Sequence, residues 1–159
     1  MARQPSDLAR ADRDRFELGA AIVSGPLEAL GTFAYHRVLR VDRRFEHWVH
    51  LELTGGTAAQ LDEGAASLAY LIRPLGLIRR DWPIQPIFEF GPAGHVVVQV
   101  ANLRGFDETA FHSRAYLKTH AYAGFDIPLG SRFGIVARGR LTVPAHHPFD
   151  YAQIALFLR

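Results

Sequence analysis

Residues 115–143 contain two runs in which polar and apolar side chains alternate strictly, joined by a Pro-Leu-Gly-Ser connection. Period-two alternation indicates a β-strand with two unlike faces, and a short connection that contains glycine indicates a hairpin. One face of both runs is apolar, whereas the other has charges in mid-strand at Lys118, Arg138 and Arg140. A soluble sandwich buries its apolar face and keeps charges at the rim. A membrane barrel exposes the apolar face to lipid and encloses the polar residues, so this polarity favours a membrane barrel.

The same polarity recurs elsewhere in the chain, most clearly over residues 45–55. There Glu46, His50 and Glu52 alternate with a mainly apolar face that includes Leu51. Further alternating runs predict strands over residues 16–24, 27–40, 64–74, 82–100 and 152–158. The prolines and glycines of residues 91–94 predict an interruption of the fifth strand. The sequence therefore predicts eight antiparallel strands, with polar loops over residues 57–63 and 101–113.

Composition excludes several other classes of protein. With 48% hydrophobic and 21% charged residues the chain is not predicted to be disordered, and no apolar run reaches the length of about 18 residues that a membrane helix needs. The formal net charge is only +2 and the basic residues are spread along the chain, which argues against nucleic acid as a partner. The absence of cysteine excludes disulfides and thiolate metal sites.

Eight strands of about ten residues can close into the smallest common transmembrane barrel. Because an unpaired buried charge is very costly, the charges of the enclosed faces are expected to pair with one another. Ten side chains are predicted to form a structural lumen charge network: Glu17, Glu46, His50, Glu52, Arg73, Glu89, Lys118, His120, Arg138 and Arg140. No catalytic, cofactor-binding or metal-binding residue is predicted.

The connections and the aromatic residues indicate how the barrel is oriented. The connections after the second and sixth strands are short, whereas those after the third, fifth and seventh are longer, which predicts short periplasmic turns at the end where both termini lie. Five aromatic residues are expected to form a girdle at that end: Phe16, Phe45, Trp82, Phe125 and Phe133. The predicted organisation is a polar N-terminal tail over residues 1–15 and a single barrel domain over residues 16–159.

Two segments, residues 121–143 and 86–94, carry a resemblance to a known group. The first resembles the penultimate hairpin, and the second a mid-barrel strand, of the small eight-stranded outer-membrane β-barrel proteins of Gram-negative bacteria. The resemblance implies an all-β, antiparallel, up-and-down transmembrane barrel in the bacterial outer membrane, with an export signal already removed. It also implies outer-membrane lipid as a partner, with another membrane or surface protein as a second partner, and no cofactor.

The function expected from these features is non-catalytic, because an eight-stranded lumen is filled by its own side chains and leaves no solute pore. The expected role is structural, anchoring or partner-binding. One alternative is a soluble lipocalin-like barrel that binds a small apolar ligand, with the polarity of every strand reversed. A second alternative is a lipid A acyl hydrolase or transferase, since enzymes of the resembling group use a serine and a histidine. Here His112 and Ser113 are adjacent, but neighbouring strand residues point to opposite faces.

Histidines supply two further candidate sites. His146 and His147 between prolines could bind a metal ion, although such a pair is more often a solvated turn. His36, His50 and His120 could form a buried ligand set if they lie at one height of the barrel, although a hydrogen-bonded plug is the more common arrangement.

Overall fold

A computed structural model of the chain describes residues 14–23, 29–58, 61–77, 82–102, 109–143 and 150–159. Its strands are β1 (Asp14–Val23), β2 (Ala29–Val41), β3 (Phe45–Ala58), β4 (Leu61–Pro74), β5 (Gln85–Asn102), β6 (Thr109–Pro128), β7 (Phe133–Val143) and β8 (Tyr151–Leu158). Each strand pairs antiparallel with its neighbours in the chain, and β1 pairs with β8. The predicted closed, up-and-down, eight-stranded barrel is confirmed. No helix in the described ranges is long and apolar enough to cross a membrane.

Side chains alternate between the lumen and the outer wall. In β8 every second residue is buried, and in β7 every second residue from Gly134 to Thr142 is buried. The outer wall exposes large apolar side chains over the height of the barrel, including Leu18, Ile22, Leu51, Leu68, Leu117, Leu141, Ile154 and Leu156. The lumen instead buries charged residues such as Glu17, Glu52 and Arg138. This arrangement is the reverse of a soluble barrel and is the one that lipid requires.

The lumen is filled because small and large inward residues lie side by side. Ala69 and Ala93 are buried next to Trp48 and Tyr122 in one cluster of packed apolar side chains. A second cluster, which includes Val136 and Phe157, also packs inside the barrel. An eight-stranded barrel has an interior just wide enough for such packing, so the alternation of residue size closes the lumen.

The start of β1, the C-terminus and the described parts of the connections β2–β3, β4–β5 and β6–β7 lie at one end of the barrel, which we call the terminus-side end. Of the predicted girdle residues, which all lie near this end, Phe16, Trp82, Phe125 and Phe133 are exposed and Phe45 is partly buried. β1 begins at Asp14, two residues before the predicted strand, so Arg15 lies inside the barrel and not in the tail.

Two predicted loops are mostly strand. Pairing of β3 with β4 continues through Gly55↔Gly64 to Ala58↔Leu61, across the loop predicted over residues 57–63. β5 and β6 likewise extend through most of the loop predicted over residues 101–113, and only residues 103–108 lie outside the described strands. Both predictions were wrong. The glycines and polar residues of these segments interrupt the alternation of polar and apolar residues, but the main-chain hydrogen bonds of a strand do not require that alternation. The prediction of longer connections opposite the termini also failed after β3, where only residues 59–60 separate the strands.

The predicted interruption of β5 is confined to one edge of that strand. β5 begins at Gln85, not at Trp82, and its pairing with β6 continues without a break through Gly91↔His120 and Pro92↔Thr119. On the β4 side, pairs are present at Ala69↔Ala93 and Ile72↔Phe90 but not between them, and the register is unchanged. Proline has no N–H to donate, which accounts for a local loss of pairing without a bulge.

We expect Leu51→Arg to lower the free energy of unfolding by about 2–4 kcal/mol, because Leu51 lies on the outer wall at mid-strand, opposite Tyr35 and Leu68. Leu129 is also exposed, at 56%, but lies in the turn between β6 and β7, so Leu129→Arg should cost only about 0–1 kcal/mol. Urea unfolding in phospholipid vesicles, followed by tryptophan fluorescence, measures both. Equal costs at the two sites would contradict a lipid-facing Leu51.

Gly91 is required by the close approach of β5 to β4. A Cβ at this position would overlap the backbone of Tyr70, including its carbonyl oxygen, whereas a Cβ at Gly94 would have no atom within 4 Å. We expect Gly91→Ala to lower the free energy of unfolding by about 1–3 kcal/mol, as overpacking does. Gly94→Ala, the matched control in the same strand, should be neutral or stabilising by about 0.5–1 kcal/mol. The urea unfolding assay described above measures both free energies. Similar changes for Gly91→Ala and Gly94→Ala would contradict a special requirement for glycine at position 91.

Candidate functional site

The predicted lumen charge network is spread over several strands that face one another across the barrel. Arg73 and Lys118 are partly buried, and the other eight predicted members are buried: Glu17, Glu46, His50, Glu52, Glu89, His120, Arg138 and Arg140. The structure arranges most of them in three groups of ion pairs, each built around one or two carboxylates. Lys118 forms no ion pair with the residues that the structure describes.

The first group surrounds Glu17 on β1. Arg15 Nε lies 2.8 Å from Glu17 Oε1, and Arg138 Nη2, from β7, lies 2.7 Å from Glu17 Oε2. Arg15 also donates two hydrogen bonds to Asp126 on β6, of 2.5 and 2.6 Å, in a bidentate pair. The group thus connects three strands, two of which are not neighbours of β1 in the sheet. Bidentate arginine–carboxylate pairs are strong and directional, so this group fixes the distance across the lumen.

The second group joins β3, β4 and β5. Arg73 Nε donates a 2.8 Å hydrogen bond to Glu89 Oε1, and Arg73 Nη1 lies 3.9 Å from Glu46 Oε2. The Arg73 guanidinium carbon also lies 4.9 Å from the ring centroid of Trp48, within the range of a cation–π contact. The guanidinium is therefore satisfied by two carboxylates and one aromatic face.

The third group surrounds Glu52 on β3. Arg140 Nη1 donates a 2.5 Å hydrogen bond to Glu52 Oε1, and the Tyr151 hydroxyl donates to Glu52 Oε2. The Arg140 guanidinium lies over the Tyr151 ring, 4.1 Å from its centroid, and His50 Nε2 lies 3.5 Å from Glu52 Oε2. These contacts span the lumen from β3 to β7 and β8. The position of Glu52 is therefore held from three directions.

The buried histidines form two separate pairs. The rings of His36 and His50 stack with their centroids 4.1 Å apart. His120 Nε2 lies 2.6 Å from His95 Nε2, and His120 Nδ1 lies 3.1 Å from the Tyr122 hydroxyl. The hypothesised ligand set of His36, His50 and His120 is thus divided between the two pairs. Within the described ranges no group of three or more histidine and carboxylate side chains could hold a metal ion.

Several lumen residues were not identified as network members from the sequence. Arg15 was assigned to the tail. It lies two residues before Glu17 and therefore points to the same inward face, so extending the alternation by two residues would have identified it as a lumen residue. Gln153 accepts a 3.0 Å hydrogen bond from Arg138 Nε and donates one of 2.7 Å to Thr32 Oγ1. Tyr151 and Gln153 are uncharged, so a search for charges in alternation does not detect them.

Of the remaining candidate residues, Ser113 lies towards the end of the barrel opposite the C-terminus. Ser113 is exposed on β6, in a part of that strand that pairs with β5. His112 is its neighbour on the same strand. His146 and His147 lie outside the described residues.

The turn between β2 and β3, at the terminus-side end, is held by Asp42. Its Oδ1 accepts 2.8 Å hydrogen bonds from the backbone N–H groups of Arg44 and Phe45, and its Oδ2 lies 2.9 Å from His47 Nε2. The His47 ring and these two backbone donors hold the pKa of Asp42 well below its usual range. His47 Nδ1 lies 2.6 Å from the Tyr70 hydroxyl, so the turn is also connected to β4.

An apolar outer wall around a filled and charged lumen defines a transmembrane β-barrel. Among solved structures, the fold is similar to the N-terminal β-barrel domain of Pseudomonas aeruginosa OprF, with a TM-score of 0.56 and 11% identity over 92% of this chain and 94% of that one. It is also similar to Neisserial surface protein A (NspA), with a TM-score of 0.53 and 10% identity over 92% of this chain and 94% of that one. The predicted resemblance to small outer-membrane barrels is confirmed at the level of the fold. No protein-family model matches the chain, and no curated protein matches it in sequence.

We expect Arg140→Met to lower the free energy of unfolding by about 3–5 kcal/mol, because it leaves the buried carboxylate of Glu52 without its cation. The double variant Glu52→Gln/Arg140→Met should be more stable than Arg140→Met alone, since neither charge then remains buried. Urea unfolding of the four proteins in detergent micelles gives the coupling energy. Strictly additive effects would show that the two side chains do not stabilise each other.

Proposed function

We propose that this chain is a non-conducting and non-catalytic barrel of the bacterial outer membrane that acts as a structural or anchoring element. The observation that carries the proposal is the inverted polarity of the barrel, with leucine and isoleucine side chains exposed on the wall and ion pairs buried in the lumen. In this proposal, an export signal is removed before the chain reaches the membrane. Lipid surrounds the wall, and another membrane or surface protein is the expected second partner.

The lumen supports a structural role and not a transport role. A pore needs a continuous column of water, but the ion pairs around Glu17 and Glu52 extend across the lumen. The Arg138 guanidinium of the Glu17 group also lies over the Tyr122 ring, 4.9 Å from its centroid. Tyr122, His50 and His120 are among the largest fully buried side chains of the described residues. Opening a path would require breaking several charged contacts at once.

The same lumen gives little support to a soluble, ligand-binding barrel. A lipocalin-type barrel binds an apolar ligand in an apolar cavity and presents a polar outer surface to water. Here the inward positions include Glu17, Glu52 and Arg140, and the outer positions include Leu117, which is 81% exposed. Exposing a wall of this kind to water would favour aggregation.

A reconstitution experiment tests the proposal. The chain should remain soluble only in detergent or lipid, migrate differently on a gel before and after heating, and give no stable single-channel current in a planar bilayer. The heat-dependent migration shows that the barrel is folded, so a silent bilayer cannot be explained by unfolded protein. A monomeric protein that stays in solution without detergent would refute the membrane location, whereas steady currents from folded protein would refute the closed lumen.

A further inference from the structure

The terminus-side end of the barrel exposes a group of arginine side chains on and near the β2–β3 turn. Arg37, Arg40, Arg43 and Arg44 are all exposed, and Arg132 is exposed in the neighbouring β6–β7 turn. We call Arg40, Arg43 and Arg44 the rim arginines. None of these three forms an ion pair with the residues that the structure describes. The concentration of positive charge is unexpected for a chain with a formal net charge of only +2.

A β-bulge directs one of these arginines outward. Val38 pairs with the inward-facing Trp48, and after the bulge Arg40 pairs with His47, which is on the outer side of β3. With regular alternation Arg40 would share the inward face of Val38, and a further cation would lie in the lumen. Bulges commonly redirect a side chain in this way. The extra residue, Leu39, is 56% exposed on the outer wall.

The nearby carboxylates are engaged by other groups. Asp42 accepts hydrogen bonds from two backbone N–H groups of the turn and contacts His47. Asp14 accepts a 2.6 Å hydrogen bond from the Tyr35 hydroxyl and lies 3.8 Å from Arg37 Nε. The hydrogen bonds of Asp42 also fix the backbone from which Arg43 and Arg44 extend. Arg43 and Arg44 therefore extend from a turn that hydrogen bonds hold in place, next to Arg40 at the end of β2.

We propose that the rim arginines bind the anionic headgroups of phospholipids in the membrane leaflet next to the terminus-side end. This inference rests on the membrane location proposed above and specifies which lipids the barrel selects. A lipid is the inferred ligand because the rim arginines adjoin the apolar wall. Leu39 and Tyr35 lie on the same outer side of β2 as Arg40. A lipid whose acyl chains contact the wall therefore has its headgroup beside the guanidinium group. The planar guanidinium matches a phosphate in two-point hydrogen bonding.

Native mass spectrometry of the folded, detergent-solubilised protein tests the inference, with an equimolar mixture of phosphatidylglycerol and phosphatidylcholine as the probe. We expect more phosphatidylglycerol than phosphatidylcholine adducts on the wild-type protein. Arg43→Gln should lower this ratio about three- to fivefold, since each arginine near an anionic surface contributes on that scale. Arg40→Gln/Arg43→Gln/Arg44→Gln should bring the ratio close to unity, whereas the corresponding triple lysine variant should retain most of it.

Arg114→Gln is the matched control, because Arg114 is exposed at the opposite end of the barrel. It should leave the lipid ratio unchanged. Equal lipid ratios for the wild type and the glutamine variants, all with heat-dependent gel migration, would overturn the inference while leaving the membrane location in place. Should the triple variant not fold, the comparison of Arg43→Gln with Arg114→Gln still decides the question. A wild-type protein that needs no detergent would instead refute the proposed function itself.

Discussion

The carboxylate of Glu17 lies between two guanidinium groups, Arg15 at 2.8 Å on its own strand and Arg138 at 2.7 Å on β7. The rest of the barrel depends on contacts of this kind. A lipid environment excludes charge from the outer wall, so the charges of mid-strand positions point into a narrow lumen. In that lumen an unpaired charge would be very costly, and the partner usually comes from a different strand. Ion pairing therefore determines which strands must face one another, in addition to the main-chain hydrogen bonds that join neighbours.

The charge balance of the lumen agrees with this constraint. The ion-paired lumen residues that the structure describes are five carboxylates, Glu17, Glu46, Glu52, Glu89 and Asp126, and five arginines, Arg15, Arg73, Arg138, Arg140 and Arg159. Aromatic faces support all five arginines, with Phe157 next to both Arg15 and Arg159, Trp48 next to Arg73, Tyr122 next to Arg138, and Tyr151 next to Arg140. Arginine suits this setting better than lysine because its planar group can accept a carboxylate on its edge and an aromatic ring on its face.

The sequence predicted the parts of this fold in which one face meets lipid and the other meets the lumen. Glu17, Glu52 and Arg138 could be assigned to the lumen because alternate residues of a strand point to only two faces, and the opposite face is apolar. Which of these side chains pair could not be predicted, since the partners of Glu52 come from β7 and β8, and their relative heights depend on the stagger of the closed barrel. Alternation also failed beyond the membrane-facing region: β3 continues to Ala58 through glycines that give no polarity signal.

The bulge at Leu39 shows how the same constraint acts at the edge of the barrel. Regular alternation would direct Arg40 into the lumen near Glu46 and Arg73, where Arg73 already contacts two carboxylates. One inserted residue places Arg40 on the outer side, next to the arginines of the β2–β3 turn. In the headgroup contact proposed above, this height lies at the edge of the hydrocarbon, where a guanidinium group can contact water or headgroup phosphate at little cost. The position of the bulge thus coincides with the place where the rule that charges lie inside the barrel ceases to apply. The departure from alternation at Leu39 is therefore the point on β2 at which a charged side chain moves from the lumen to the outer side of the barrel.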